Sequence, residues 1–196
     1  MVVDVALVQK LREMTAASIL DCKKALDESK GDIDKAVEFL RKKGAASAVK
    51  KLSRQTKDGL ISSYIHQGGK IGVLIELNCE TDFVAKTDEF SALSRELSMQ
   101  VAAANPSYVR REEVPEEEIN KEKEIYREQI KGKPENVVDK ILSGKIDKYF
   151  EEICLMEQPS IRDPKTNIDA LIKQYIAKLG ENISVRRFTR FEVGKN

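Results

Sequence analysis

Between Leu60 and Cys79 the apolar residues change from a spacing of three or four to a spacing of two. The run "LISSYIHQGGKIGVLIELNC" predicts a β-hairpin with Gly68-Gly69 as a two-residue turn. In that register Gln67 faces Lys70, His66 lies beside Ile71 and Tyr64 beside Val73. Ile71, Val73, Ile75, Leu77 and Cys79 then share one face, which must be the buried one, with Gly72 opposite. An otherwise helical chain therefore has to pack around a small antiparallel sheet, and the fold class is α+β.

The residues before the hairpin predict a compact three-helix bundle. Asp4 caps a helix carrying Leu7, Val8 and Leu11 on one face. Ser18-Ile19-Leu20-Asp21 matches a capping box and opens a second helix, which stops near Gly31. Asp32 or Asp34 starts a third, with Ile33, Val37 and Leu40 at helical spacing and Gly44 as its C-cap. The basic stretch "RKKGAASAVKKLSRQTKDG" reads as a linker, helical in part. The domains are accordingly residues 1–54, bundle and linker, and 55–196, an α+β core.

Within the core, Thr87 or Asp88 caps a helix with Phe90, Leu93, Leu97, Val101 and Ala104 along one face, ending near Asn105-Pro106. The charged region from Glu112 carries only a thin apolar stripe of Ile119, Tyr126 and Ile130. It predicts a helical arm over about 112–158, with helices at about 116–131, 135–143 and 145–155 broken by Gly132, Pro134 and Gly144. "QPSIRDPKTN" is a loop. The C-terminal helix and strand fill 168–196: Ile168, Leu171, Ile172, Tyr175, Ile176 and Leu179 recur up to Gly180, and "NISVRRFTRFEV" alternates. In that strand Ile183, Val185, Phe191 and Val193 are expected on one face and Phe188 on the other.

Composition and motifs remove several functions. Of 196 residues 34% are charged, yet the net charge is only +1, a weak balance for a protein that lives on nucleic-acid phosphates. The N-terminus meets Asp4 and Lys10 too early for a leader, and no run is long enough to span a bilayer. Cys22, Cys79 and Cys154 form no CxxC pair and read as buried free thiols in a cytoplasmic protein. One histidine, His66, cannot anchor a metal site with three scattered cysteines. "GGKIG" is too short for a phosphate-binding loop and belongs to the hairpin turn. No cofactor and no enzyme activity are expected.

One stretch resists this bland reading. In "NCETDFVAK", Asn78–Lys86, a strand gives way to a helix and Phe83 sits at the polar junction. Either Phe83 packs beneath the helix from Thr87, or it serves something outside the chain. Asp82 is a turn residue or a local cap on the first view. The stretch closely resembles the signature of bacterial translation elongation factor Ts. "LREMTAASILDCKKALDESKGDIDKAVEFLRKKG" is similar to that family's N-terminal module, a ubiquitin-associated-like three-helix bundle, and "GENISVRRFTRFEVG" to its C-terminal segment.

The resemblance implies a guanine-nucleotide exchange factor for elongation factor Tu, the GTPase that delivers aminoacyl-tRNA. It implies that Thr81, Asp82, Phe83 and Val84 form the intruding motif, with Asp82 and Phe83 entering near the switch helix and magnesium site of the GTPase. It also makes Ile19, Leu20 and Lys23 the candidate contacts of the bundle. Ile19 and Leu20 point roughly 100° apart, so one could serve the core and the other a partner. The chain resembles the short form of the family, which implies a homodimer, possibly in a 2:2 complex, with the alternating tail as a candidate edge for pairing. It departs from the family at Thr15-Ala16-Ala17-Ser18, where Thr-Gly-Ala-Gly is usual, so the turn there is expected to differ. Two alternatives remain: a helical adaptor without effect on nucleotide, and an RNA-binding protein using Arg41–Lys57, which the near-neutral charge disfavours. Neither a membrane nor direct nucleic-acid contact is expected.

Overall fold

The computed structural model describes residues 4–15, 17–131 and 134–195. Three helices lead: α1 (Val5–Thr15), α2 (Ile19–Glu28) and α3 (Ile33–Val49). Each starts where its cap chemistry directs. The Ala6 N–H donates to the Asp4 carboxylate, Asp21 N–H to Ser18 Oγ and Lys35 N–H to the Asp32 carboxylate, satisfying donors the helix cannot. Val8, Leu11, Cys22, Ala25, Leu26, Ala36 and Leu40 bury a common apolar centre. Ala16 lies outside the described residues; Ala17 and Ser18 lead directly into α2.

Gly44 is not a C-cap. Helix α3 runs through it to Val49 and is capped at Lys50. The reason is packing: a Cβ at Gly44 would stand 3.2 Å from the Ala177 Cβ of α8 (Ile168–Leu179). The missing side chain lets the two helices approach. One helix thus contributes Ala36 and Leu40 to the bundle and Ala48 to the main core.

Strands β1 (Asp58–Ile65), β2 (Ile71–Cys79) and β3 (Ser184–Glu192) form one antiparallel sheet in the order β1-β2-β3. Tyr64 pairs with Val73 and Leu60 with Leu77, the expected register. The ladder closes at His66, whose N–H donates to the Ile71 carbonyl (2.9 Å). Four residues rather than two therefore make the turn, with Gly68 and Gly69 at positive φ. Val73, Ile75, Leu77 and Cys79 are buried against Phe90, Leu93, Leu97 and Val101 of α5 (Asp88–Ala104) and Ile168, Ile172 and Ile176 of α8. A one-residue slip would expose that whole face, and each large side chain contributes about 1.5–3 kcal/mol when buried.

Strand β3 departs from simple alternation. Leu77 pairs with Val185 but Glu76 with Arg187, so Arg186 is an extra residue in a β-bulge. Ile183 and Val185 face the core before the bulge; Phe188 packs on it afterwards. Phe191 and Val193, expected beside Val185, are instead 67% and 72% exposed.

The arm is a pair of helices, α6 (Glu116–Gln129) and α7 (Glu135–Ile153), with its own cluster of Val114, Ile130, Leu142, Ile146, Phe150 and Cys154. Gly144 does not break α7, because a mid-helix glycine costs only about 1 kcal/mol against alanine. Gly132 lies outside the described residues. Arg111 fixes the arm's base: its guanidinium pairs with Glu157 and Asp147 and lies 4.6 Å over the Phe150 ring. Gln100 of α5, buried, holds the loop after the arm, donating to Gln158 and the Pro159 carbonyl and accepting from Ile161 N–H. Among the described residues, no helix is long and apolar enough to cross a membrane.

Candidate functional site

Strand β2 delivers the chain to Cys79, and a single helical turn, α4 (Asp82–Ala85), follows before α5. Val84 and Ala85 pack against the main core and seat the turn. Thr87 closes it, donating from its hydroxyl to the Val84 carbonyl (2.8 Å) and accepting from Phe90 N–H as the cap of α5. With α4 seated on its Val84 side, Phe83 points the other way and is 80% exposed. It does not pack beneath α5. Such exposure of a whole aromatic side chain forgoes the burial energy that normally drives it inward.

Asp82 is half-buried and bonded to Lys86, four residues on (2.5 Å). That hydrogen bond holds the Asp82 carboxyl below its ordinary range and raises the Lys86 ammonium. Beneath the turn, Cys79 donates its thiol to the Thr81 carbonyl (3.1 Å). Burial, reinforced by the charge of Glu181, pushes that thiol up to about 11. It is a packed neutral group, not a nucleophile. Among the described residues, no group of three or more His, Cys, Asp or Glu is arranged to hold a metal ion.

Two residues that sequence reasoning missed hold the turn from the other end of the chain. Gly180 ends α8 in the left-handed conformation, φ 82°, and sends the next residues toward the motif. Glu181 Oε2 accepts the N–H groups of Glu80 and Thr81, both at 3.0 Å, while its Oε1 accepts the Thr81 hydroxyl at 2.6 Å. Asn182 N–H donates to the Glu80 carboxylate (2.6 Å), and its side-chain amide donates to the carbonyls of Leu52 and Arg54. A Gly-Glu-Asn run after a helix reads as a solvated turn. A partner about a hundred residues away leaves no local signal.

The remaining predicted residues lie on α2, in the bundle. Ile19 and Leu20 are each 61% exposed, so neither serves the bundle core, and Lys23 is exposed on the same helix. The structure brings Thr81, Asp82, Phe83 and Val84 together on one turn, whereas Ile19, Leu20 and Lys23 form a second, separate surface. Asp21 bonds Lys43 of α3 (2.5 Å), fixing the first turn of α2 to its neighbour.

The family model described as Elongation factor TS matches residues 2–195. The chain belongs to the elongation factor Ts family. The Elongation factor Ts of Thermotoga neapolitana is 63% identical to it over 195 residues, covering 100% of this chain and 99% of that one. That of Thermotoga maritima is 61% identical, with 100% and 98% covered, and that of Heliobacterium modesticaldum 57%, with 98% and 91%. The match to elongation factor Ts proteins is therefore not confined to Asn78–Lys86 but extends through bundle, hairpin, arm and β3.

Proposed function

We propose that the chain is a guanine-nucleotide exchange factor: it binds elongation factor Tu in its GDP state and speeds release of GDP during translation elongation. The observation that carries this reading is the exposed Phe83 on a one-turn helix held at both ends. A phenylalanine free to collapse could not push on anything; one fixed to a strand and a helix can. Asp82 and Phe83 enter the GTPase near its switch and magnesium region, with Thr81 and Val84 setting their position. GDP is held through Mg²⁺ and backbone amides around its phosphates, so a small displacement there removes several contacts together. Burying one aromatic stabilises the inserted state by about 1.5–3 kcal/mol, or one to two decades, and the rest of the interface supplies the remainder. No bond to substrate is made, so the protein is not an enzyme.

The bundle, residues 1–54, acts as a ubiquitin-associated-like docking module through Ile19, Leu20 and Lys23. The core, residues 55–196, carries the motif and the self-association surface. A homodimer, engaging two GTPase molecules in a 2:2 complex in the cytoplasm, is supported by the outer face of the sheet. Ile61, Ile65, Leu74 and Phe191 are 69%, 66%, 45% and 67% exposed there, an apolar face expected to be covered. The decisive experiment loads elongation factor Tu with fluorescent GDP and chases with unlabelled nucleotide. Faster release on adding the protein, together with weaker binding of the protein as GDP rises, supports exchange; binding that ignores GDP refutes it.

A further inference from the structure

On the strength of the exchange reading above, we infer that Glu181 is a positioning residue of the exchange motif, the clamp that keeps Phe83 presented while the GTPase resists it. One carboxylate receives three donors from the residues that immediately precede α4: the Glu80 and Thr81 amides and the Thr81 hydroxyl. Those two N–H groups lie between the end of β2 and the start of α4, where neither ladder nor helix can use them. Thr81 is the N-cap of α4, yet its side chain caps nothing in that helix; its hydroxyl goes to Glu181 instead. The turn is therefore fastened to the α8–β3 connection rather than by its own cap.

The connection is itself braced. Asn182 N–H bonds the Glu80 carboxylate, which Arg54 also approaches (3.5 Å), and the Asn182 amide reaches the Leu52 and Arg54 carbonyls. The segment leaving α3, the motif turn and the start of β3 thus meet at one polar node. A force on Phe83 is passed to Glu181 and from there to the sheet and α3. Charge-assisted bonds of this kind are the stronger ones, and leaving their donors unmet frees the turn.

A loosened turn lowers the fraction of bound complexes in which Phe83 is inserted, without removing the docking surface on α2. Glu181→Ala should therefore cut the maximal rate of GDP release from elongation factor Tu about tenfold while shifting the half-saturating concentration less than about twofold. A purely structural defect would do the reverse, reducing active protein and raising the concentration needed. Glu181→Gln keeps a carbonyl oxygen for the two N–H groups and should recover most of the rate; it carries the comparison if the alanine variant does not fold. In a Phe83→Ala background, Glu181→Ala should cost nothing further, because the clamp acts through Phe83. An undiminished maximal rate in Glu181→Ala, or an equal loss with and without Phe83, would overturn the proposal. If Phe83→Ala alone matches the wild type, the Phe83 wedge of the exchange reading has failed. The clamp is then judged by amide hydrogen exchange at Glu80 and Thr81: at least about tenfold faster in Glu181→Ala upholds it, and unchanged exchange rejects it.

Discussion

Phe83 shows what one residue can and cannot reveal. Its position at a strand-to-helix junction was odd in the sequence, but oddness alone left two readings. The structure removes the first of them: the ring is exposed, while its neighbour Val84, partly buried, packs against the main core. Glu181 was invisible for a physical reason: its partners are fixed by tertiary approach, not by spacing along the chain. The buried thiols carry a prediction. Cys79 and Cys154, pushed by burial up to about 11 from 9.0, keep their protons in the folded state after the unfolded chain has lost them. Their contribution is complete below pH 9 and is lost as pH rises through 11. Urea midpoints should fall across that window. A Cys79→Ala, Cys154→Ala variant should show a shallower fall, whatever its absolute stability, and an identical slope would contradict the burial argument.

Helices and strands were legible wherever caps and periodicity agreed, as at Ser18, Asp32, Thr87 and the β1–β2 register. Elements were misread where glycine had another use or a bulge changed the face. Gly44 and Gly144 read alike in sequence, each a candidate helix end, and both are helical. They differ in what surrounds them. A Cβ at Gly44 meets Ala177 at 3.2 Å, whereas one at Gly144 meets nothing within 4 Å. Gly144→Ala should stabilise the protein by up to about 1 kcal/mol through helix propensity. Gly44→Leu should destabilise it by about 1–3 kcal/mol, since α3 and α8 must part. Chemical denaturation of the two variants checks both signs. In β3 no sequence pattern announced the extra residue at Arg186, so the side chains beyond it were assigned to the wrong face.

For the molecule as a whole, continuity is the main feature. Helix α3 belongs to two apolar clusters, and the polar node at Glu181 and Asn182 joins its exit to the motif and to β3. The proposed docking surface on α2 and the proposed wedge at Phe83 are thus connected through structured elements rather than a loose linker. Self-association would use the sheet's remaining face. Placing charge there, as in Leu74→Asp with Phe191→Asp, should yield a monomer in sedimentation with unchanged helix content; a variant that still sediments as a dimer would exclude this face. The central claim is that Phe83 drives nucleotide release, and one measurement meets it directly. Release of fluorescent GDP from elongation factor Tu is followed at saturating wild type and saturating Phe83→Ala. A maximal rate lower by about one to two decades in the variant is the predicted result. Equal maximal rates would contradict it.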